Sequence, residues 1–428
     1  MTTDKPFQFV SADKALEIVK SFNHIFVHTA SMAPTELMQA LANRHEELRE
    51  VQIYHLHIEG EAPYADEKYK DSFFINSLFV GKNVRKTFKQ GNGSIIPVML
   101  SEIPSLFRNG IIPIDVALIQ VSVPDDFGYC SLGINVDVVK QAVQSATKVI
   151  ALINPQVPRT HGDSFIHISN IDFMVEAGRP IYASESRPLN DIYTNIGQHV
   201  STLIEDGSTL QMGIGAIPDA VVRQLHNHKD LGIHSEMISD GIIQLAEKGI
   251  INGSKKTQLP GKIVCGFAIG SRRLHQFIDN NPLFSFQRID WVNNPVVIRK
   301  NPKVVAINSA IEVDVTGQVC ADSIGSSIYS GVGGQADFIR GAAFSRGGVP
   351  IIALPSVTNN GESRIVPFLK QGAGVTTPRS DVHFVVTEYG IANLYGKNIK
   401  QRVMALAAIA HPLHSESILK AYFDAVSR

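Results

Sequence analysis

Thr209-Leu-Gln-Met-Gly-Ile-Gly-Ala-Ile-Pro-Asp-Ala-Val-Val222 decides how the rest of the chain is read. Its first four residues form a short apolar run, and Gly213-Ile-Gly215 is a glycine turn. Val221, Val222 and Leu225 then open an apolar stripe at helical spacing. The stretch therefore reads as strand, tight loop and helix, with Pro218 placed as a first helical residue. Similar apolar runs, rich in Val and Ile, recur along the whole chain. They include His24-Ile-Phe-Val27, Val51-Gln-Ile-Tyr54, Ser94-Ile-Ile-Pro-Val-Met-Leu100, Val116-Ala-Leu-Ile119 and Val149-Ile-Ala-Leu152. Further on come Ile263-Val-Cys265, Val304-Val-Ala-Ile307, Ile351-Ile-Ala-Leu354 and Phe384-Val-Val-Thr387. Near-continuous runs suit strands covered on both faces, and helical patterns such as Ala15, Leu16 and Val19 lie between them. Strands alternating with helices predict an α/β architecture with largely parallel sheets.

The two halves echo one another. Ile25-Phe-Val-His28 leads into Ser31-Met-Ala-Pro34, much as Leu210-Gln-Met212 leads into the glycine turn and Pro218. Val123-Pro-Asp-Asp-Phe-Gly-Tyr-Cys130 likewise resembles Glu312-Val-Asp-Val-Thr-Gly-Gln-Val-Cys320. With 428 residues, about twice a typical domain, the chain is expected to hold two domains related by duplication. The polar run Ser184-Glu-Ser-Arg-Pro-Leu-Asn-Asp191 marks the joint, giving domains at 1–187 and 188–428.

Composition narrows the function. Hydrophobic residues make up 44% and charged residues 18%, an ordinary balance for a globular protein. The net charge of −1 supplies no field for nucleic acid or an anionic membrane. No apolar stretch is long enough to span a bilayer, and the N-terminus does not read as a signal peptide. Three scattered cysteines (Cys130, Cys265 and Cys320) fit a reducing compartment better than a disulfide framework. A soluble cytoplasmic protein is expected. The 15 histidines show no HExxH or other ligand spacing, so no metal site is expected.

Three stretches could carry chemistry. The Gly213-Ile-Gly-Ala-Ile217 turn lets backbone approach a ligand and offers N–H groups at a helix start. It lacks the third glycine of a dinucleotide fingerprint and the Gly-Lys-Ser/Thr of a P-loop. In Tyr329-Ser-Gly-Val-Gly-Gly-Gln-Ala-Asp337, three glycines in four residues imply unusual backbone, a suitable source of oxyanion donors or simply a flexible turn. In Ile233-His-Ser-Glu-Met-Ile238, a carboxylate lies near the end of a strand, the edge where α/β sheets bind ligands. Burying that glutamate unpaired costs several kcal/mol, so it has either a function or an exposed position. No GxSxG elbow is present.

In this order, the motifs resemble the acetyl-CoA hydrolase/transferase family, particularly its 4-hydroxybutyrate and butyryl-CoA:acetate CoA-transferase branch. Asn308-Ser-Ala-Ile-Glu-Val-Asp314, Val375-Thr-Thr-Pro-Arg379, Val386-Thr-Glu-Tyr-Gly-Ile-Ala-Asn-Leu394 and Asn154-Pro-Gln-Val-Pro-Arg159 complete the set, which spans nearly the whole chain. The resemblance implies two open α/β domains of the CoA-transferase type with a site in the cleft between them. It implies Glu236 as catalytic nucleophile, with Gly213, Ile214, Gly215, Ala216, Ile217, Gly333 and Gly334 in the coenzyme A and oxyanion segments. Asn308 matches an asparagine near the thioester. The implied reaction is ping-pong exchange of CoA between short-chain acyl-CoA and a carboxylate, through a glutamyl-CoA thioester. CoA is then a substrate, no tightly bound cofactor is needed, and a homodimer is a family-level expectation. Acyl-CoA hydrolysis with the same glutamate, and a non-catalytic CoA-binding protein, are the competing readings. His28 and Ser31 could face the acyl group or simply pack. Cys130 and Cys320 read as buried thiols and Trp291 as core. Arg159 and Arg379 read as anion contacts or ion pairs.

Overall fold

A computed structural model describes residues 9–185 and 188–427, and the chain divides into two compact units. The first runs to Val98, then takes Glu102–Ser184 and Gly266–Asp290. The second takes Met99–Ser101, Glu185–Cys265 and the chain from Trp291 onward. The expected joint at 187/188 falls on Ser186 and Arg187, outside the described residues.

The first unit is built on a seven-stranded sheet. Its strands are β1 (His24–Val27), β2 (Val51–His55), β3 (Phe73–Ser77), β4 (Gly93–Ile95), β5 (Ile114–Val121), β6 (Ala146–Ile153) and β7 (Phe173–Glu176), in the order β4-β3-β2-β1-β5-β6-β7. Every neighbouring pair is parallel. The run from Ser94 to Leu100 yields only the short edge strand β4, because Pro97 has no N–H to extend the ladder. Elsewhere the apolar runs coincide with strands, and β5 buries seven of its eight residues. Helix α1 (Thr35–Asn43) follows β1, with Pro34 as its N-cap rather than its first residue.

The second unit repeats the winding. Its sheet contains β8 (Thr209–Met212), β9 (Gly232–Ile238), β10 (Ile263–Ala268), β11 (Val304–Ser309), β12 (Val349–Ala353), β13 (Phe384–Thr387) and β14 (Gly390–Asn393). They lie in the order β10-β9-β8-β11-β12-β13-β14. In both sheets the first strand is central, the strands that follow it directly lie to one side (β2 to β4 in the first sheet, β9 and β10 in the second), and the later strands lie on the other. That shared order supports duplication better than the short sequence echoes do. Ladders from β8 to β9, β8 to β11, β11 to β12 and β12 to β13 are parallel, and β14 closes the edge antiparallel. Helix α2 (Ala216–Val222) follows β8, with Pro218 inside its first turn, and α3 (Gln335–Phe344) precedes β12. Ligands of such sheets bind beyond the carboxyl ends where the strand order reverses, here at β8, β9 and β11. Among the described residues no helix is long and apolar enough to cross a membrane.

Candidate active site

Glu236 projects from β9. Alternation along the strand puts His234, Glu236 and Ile238 on one face, Ser235 and Met237 on the other. His234 anchors the first face. Its ring is buried, Nε2 donates to the Val292 carbonyl at 2.8 Å, and Nδ1 accepts from Asn301 Nδ2 at 3.4 Å. Trp291 lies 5.5 Å from the ring and Phe338 6.3 Å. Burial, helped by the nearby Lys256 charge, pushes the imidazole down to about 3. His234 is therefore neutral at pH 7, a packing and anchoring group.

The anchor at Val292 brings the next residue to the carboxylate. Asn293 sits at the corner between two four-residue helices, Ile289–Val292 and Pro295–Ile298. Asn294 caps the second helix by accepting from the Val296 N–H, and Pro295 fixes its first position. Asn293 is wholly buried and donates from Nδ2 to Glu236 Oε2 at 3.0 Å. Its orientation is forced, since a flipped amide would set oxygen against carboxylate oxygen. Its own Oδ1 is buried and accepts nothing. The carboxylate is partly buried, between the fully exposed and fully buried extremes weighed from sequence.

Gly334 closes the other side. A β-carbon there would overlap both Glu236 Oε2 and Asn293 Nδ2, so only glycine lets the backbone come this close. Gly333 takes a left-handed φ of +58°, and Gly334 is the N-cap of α3. The turn is held by Met99–Ser101. Met99 bridges Gly333, the Leu100 N–H donates to the Gly333 carbonyl at 3.0 Å, and Ser101 Oγ donates to Asp337 Oδ1 at 2.9 Å. The unusual backbone expected for this stretch is present.

The Gly213 loop leaves the end of β8 on the same edge. Gly215 has φ of +111°, Ile214 is exposed, and added β-carbons at 213 or 215 would meet nothing within 4 Å. Only Ile217 of this segment reaches the core. Asp219 in the first turn of α2 has its pKa raised by burial, against the lowering pull of Arg223, and Asp240 adds to the rise. Asn308, the penultimate residue of β11, is locked to Gln211 of β8: its Nδ2 donates to Gln211 Oε1 at 3.0 Å, and Gln211 donates back at 3.4 Å.

Glu236 and Gly334 are thus in direct apposition, and the Gly213 loop and Asn308 share their sheet edge. Asn293 was missed. Its signal is faint, two asparagines between Trp291 and Pro295, and nothing local ties them to a glutamate 57 residues earlier. The remaining candidates have the following surroundings. His28 is fully buried, its Nε2 donating to the Asn135 carbonyl and its Nδ1 accepting from the Gln120 N–H. Ser31 is buried and all three cysteines are buried and free. Arg159 pairs with Asp125 and lies over Phe165, and Trp291 is partly buried against His234. The Arg379 carbonyl accepts from Arg402. Among the described residues no cluster of three or more His, Cys, Asp or Glu could hold a metal ion.

A sheet edge bearing a hydrogen-bonded glutamate under a glycine turn defines a class. The chain belongs to the acetyl-CoA hydrolase/transferase family, whose N-terminal domain matches residues 3–183 and whose C-terminal domain matches residues 270–422. It is 48% identical to a succinyl-CoA:acetate/propanoyl-CoA:succinate CoA transferase of Fasciola hepatica, over 97% of this chain and 87% of that one. It is 47% identical to the 4-hydroxybutyrate coenzyme A transferase of Clostridium kluyveri, over 97% of both. The crystal structure of a 4-hydroxybutyrate CoA-transferase from Porphyromonas gingivalis superposes with a TM-score of 0.84 at 39% identity, covering 98% of each chain.

Proposed function

We propose that the chain exchanges CoA between a short-chain acyl-CoA and a free carboxylate of the acetate, butyrate or 4-hydroxybutyrate type, with Glu236 as covalent carrier. The observation that carries this reading is the Asn293–Glu236–Gly334 apposition. It holds a partly buried carboxylate through Oε2, against a glycine turn, and so fixes the direction of a nucleophile. The full-length relatives named as CoA transferases support exchange over hydrolysis.

The steps balance without proton transfer. Ionised Glu236 attacks the thioester carbonyl through Oε1, forming a mixed anhydride and expelling CoA thiolate. The thiolate attacks the glutamyl carbonyl, whose oxygen is Oε2, and releases the first acid as its carboxylate. CoA now rests on Glu236 as a thioester, and a second carboxylate runs the steps backwards. Each attack develops an oxyanion. Asn293 Nδ2 already points at Oε2, where charge gathers when the thiolate attacks. Backbone of the Gly333-Gly334 turn and the exposed Gly213–Ile217 segment fits CoA and the acyl-derived oxyanion, and Asn308 keeps one amide hydrogen for the thioester. No step calls for a metal, a tightly bound cofactor, nucleic acid or membrane.

Glu236→Gln is expected to lose exchange below detection while CoA binding, measured by calorimetry, stays within a few-fold. Turnover by that variant would overturn Glu236 as carrier. Assay with and without acceptor carboxylate separates exchange from hydrolysis.

A further inference from the structure

We propose that Ser235 is a positioning residue that sets the gap between Glu236 and the Gly213 loop; the inference rests on Glu236 being the nucleophile. The backbone ladder between β8 and β9 has only two pairs, Thr209 with Gly232 and Leu210 with Ile233. Beyond it β8 runs two residues further and β9 five, and Glu236 lies past the last pair of that ladder. On the other flank, the ladder from β8 to β11 continues to Met212 and Ile307, so the strands part on the β9 side alone.

At the parting, one hydroxyl replaces the ladder. Ser235 Oγ accepts from the Met212 N–H at 3.2 Å and donates to the Met212 carbonyl at 2.9 Å. Ser235 is 1% exposed, and its single hydroxyl supplies both the acceptor and the donor that buried backbone requires. Met212 is the last residue before Gly213, and Ser235 the last before Glu236. The bridge therefore joins the root of the loop to the root of the nucleophile, with a side chain's width where a backbone bond would draw them together.

The first sheet shows the alternative. Its ladder from β1 to β2 extends one pair further, to Phe26 with Tyr54. Counted from the first pair, His55 takes the place of Ser235, and its Nδ1 bonds to the Leu56 carbonyl rather than across to β1. Ser235 also borders a narrow crevice with Met212, Gly213, Pro218 and Val222.

The test is the single-turnover rate of CoA adduct formation in the full chain mixed with acetyl-CoA, with unfolding midpoints taken in parallel. Ser235→Ala is expected to slow adduct formation by about tenfold to a hundredfold, as a misplaced reacting pair does. Ser235→Thr, which keeps the hydroxyl, is expected to stay within a few-fold of the parent. Loss in alanine with rescue by threonine, independent of the unfolding midpoints, is the signature of positioning. If the alanine variant does not fold, Ser235→Cys replaces it with the same expected order. Parent-like rates in alanine, or threonine no better than alanine or cysteine, would overturn the proposal. Glu236→Gln run alongside separates the two ideas: an adduct in that variant overturns the nucleophile, whereas its absence beside a fully active Ser235→Ala overturns only the role of Ser235.

Discussion

The carboxyl edges of the two sheets share one strand order and differ in the segments that leave their central strands. After β1, His28, Thr29, Ala30, Ser31 and Met32 are all buried. Thr29 Oγ1 donates to Asp137 Oδ2 at 3.0 Å and accepts from Asn135 Nδ2 at 2.6 Å, and His28 donates to the Asn135 carbonyl. After β8, Gly213-Ile-Gly215 lies open, and the neighbouring strand carries an ionisable carboxylate, Glu236, held by the Asn293 amide. A duplicated frame has been closed with a buried, hydrogen-bonded network at one edge and left open at the other. Satisfied buried groups rigidify an edge, whereas catalysis needs donors that still have an acceptor to meet.

The contrast can be attacked at several points. The largest effect is expected at Gly334, where alanine would drive a β-carbon into Glu236 and Asn293. Exchange should fall by at least about a hundredfold, read as kcat with acetyl-CoA and butyrate. Gly213→Ala meets open space and should cost far less; equal losses would mean that the close approach at Gly334 does not matter. Next is Asn293→Ala. Loss of one oxyanion-type donor typically costs about 2.7–4 kcal/mol, or roughly a hundredfold to a thousandfold in kcat. An unchanged kcat would remove Asn293 from the reaction.

The closed edge should answer in stability instead. Thr29→Val strips a donor from Asp137 and an acceptor from Asn135 and should cost about 1–3 kcal/mol in urea unfolding. Its kcat should stay within a few-fold; a collapse of kcat at full stability would place that edge in the chemistry.

A distributed effect tracks pH. Burial holds His28, His55 and His57 down at about 4, against 6.5 in an unfolded chain. Their contribution is complete above pH 6.5 and is lost as pH falls towards 4, on the order of 3 kcal/mol each. Asp137 runs the other way: burial lifts it to about 6, so its contribution is present below pH 4 and lost as pH rises to 6. Three histidines outweigh one aspartate, so the unfolding midpoint should drop between pH 6.5 and 4. A flat profile would contradict the neutral, buried state of the histidines.

Much of this contrast was legible in the sequence. The run His24-Ile-Phe-Val27 became β1 without change, and Glu236 stood out because a carboxylate within a strand needs either an exposed position or a function. The Gly213 turn was readable because strand, glycines and helix are contiguous. Asn293 was not, since its position comes from a helix break that only tertiary packing brings to β9. Nor was the role of Ser235, which depends on where a ladder stops, a fact of register that no local pattern encodes. His28 and Ser31 were ambiguous for the same reason: burial decides their role.

The most direct measurement is intact mass spectrometry of the chain after incubation with an acyl-CoA, then peptide mapping. A mass gain of one CoA less one water, confined to the peptide holding Glu236 and removed by added carboxylate, is the expected result. No covalent CoA under turnover conditions, or the same gain in the Glu236→Gln variant, would contradict a glutamyl-CoA carrier at this sheet edge.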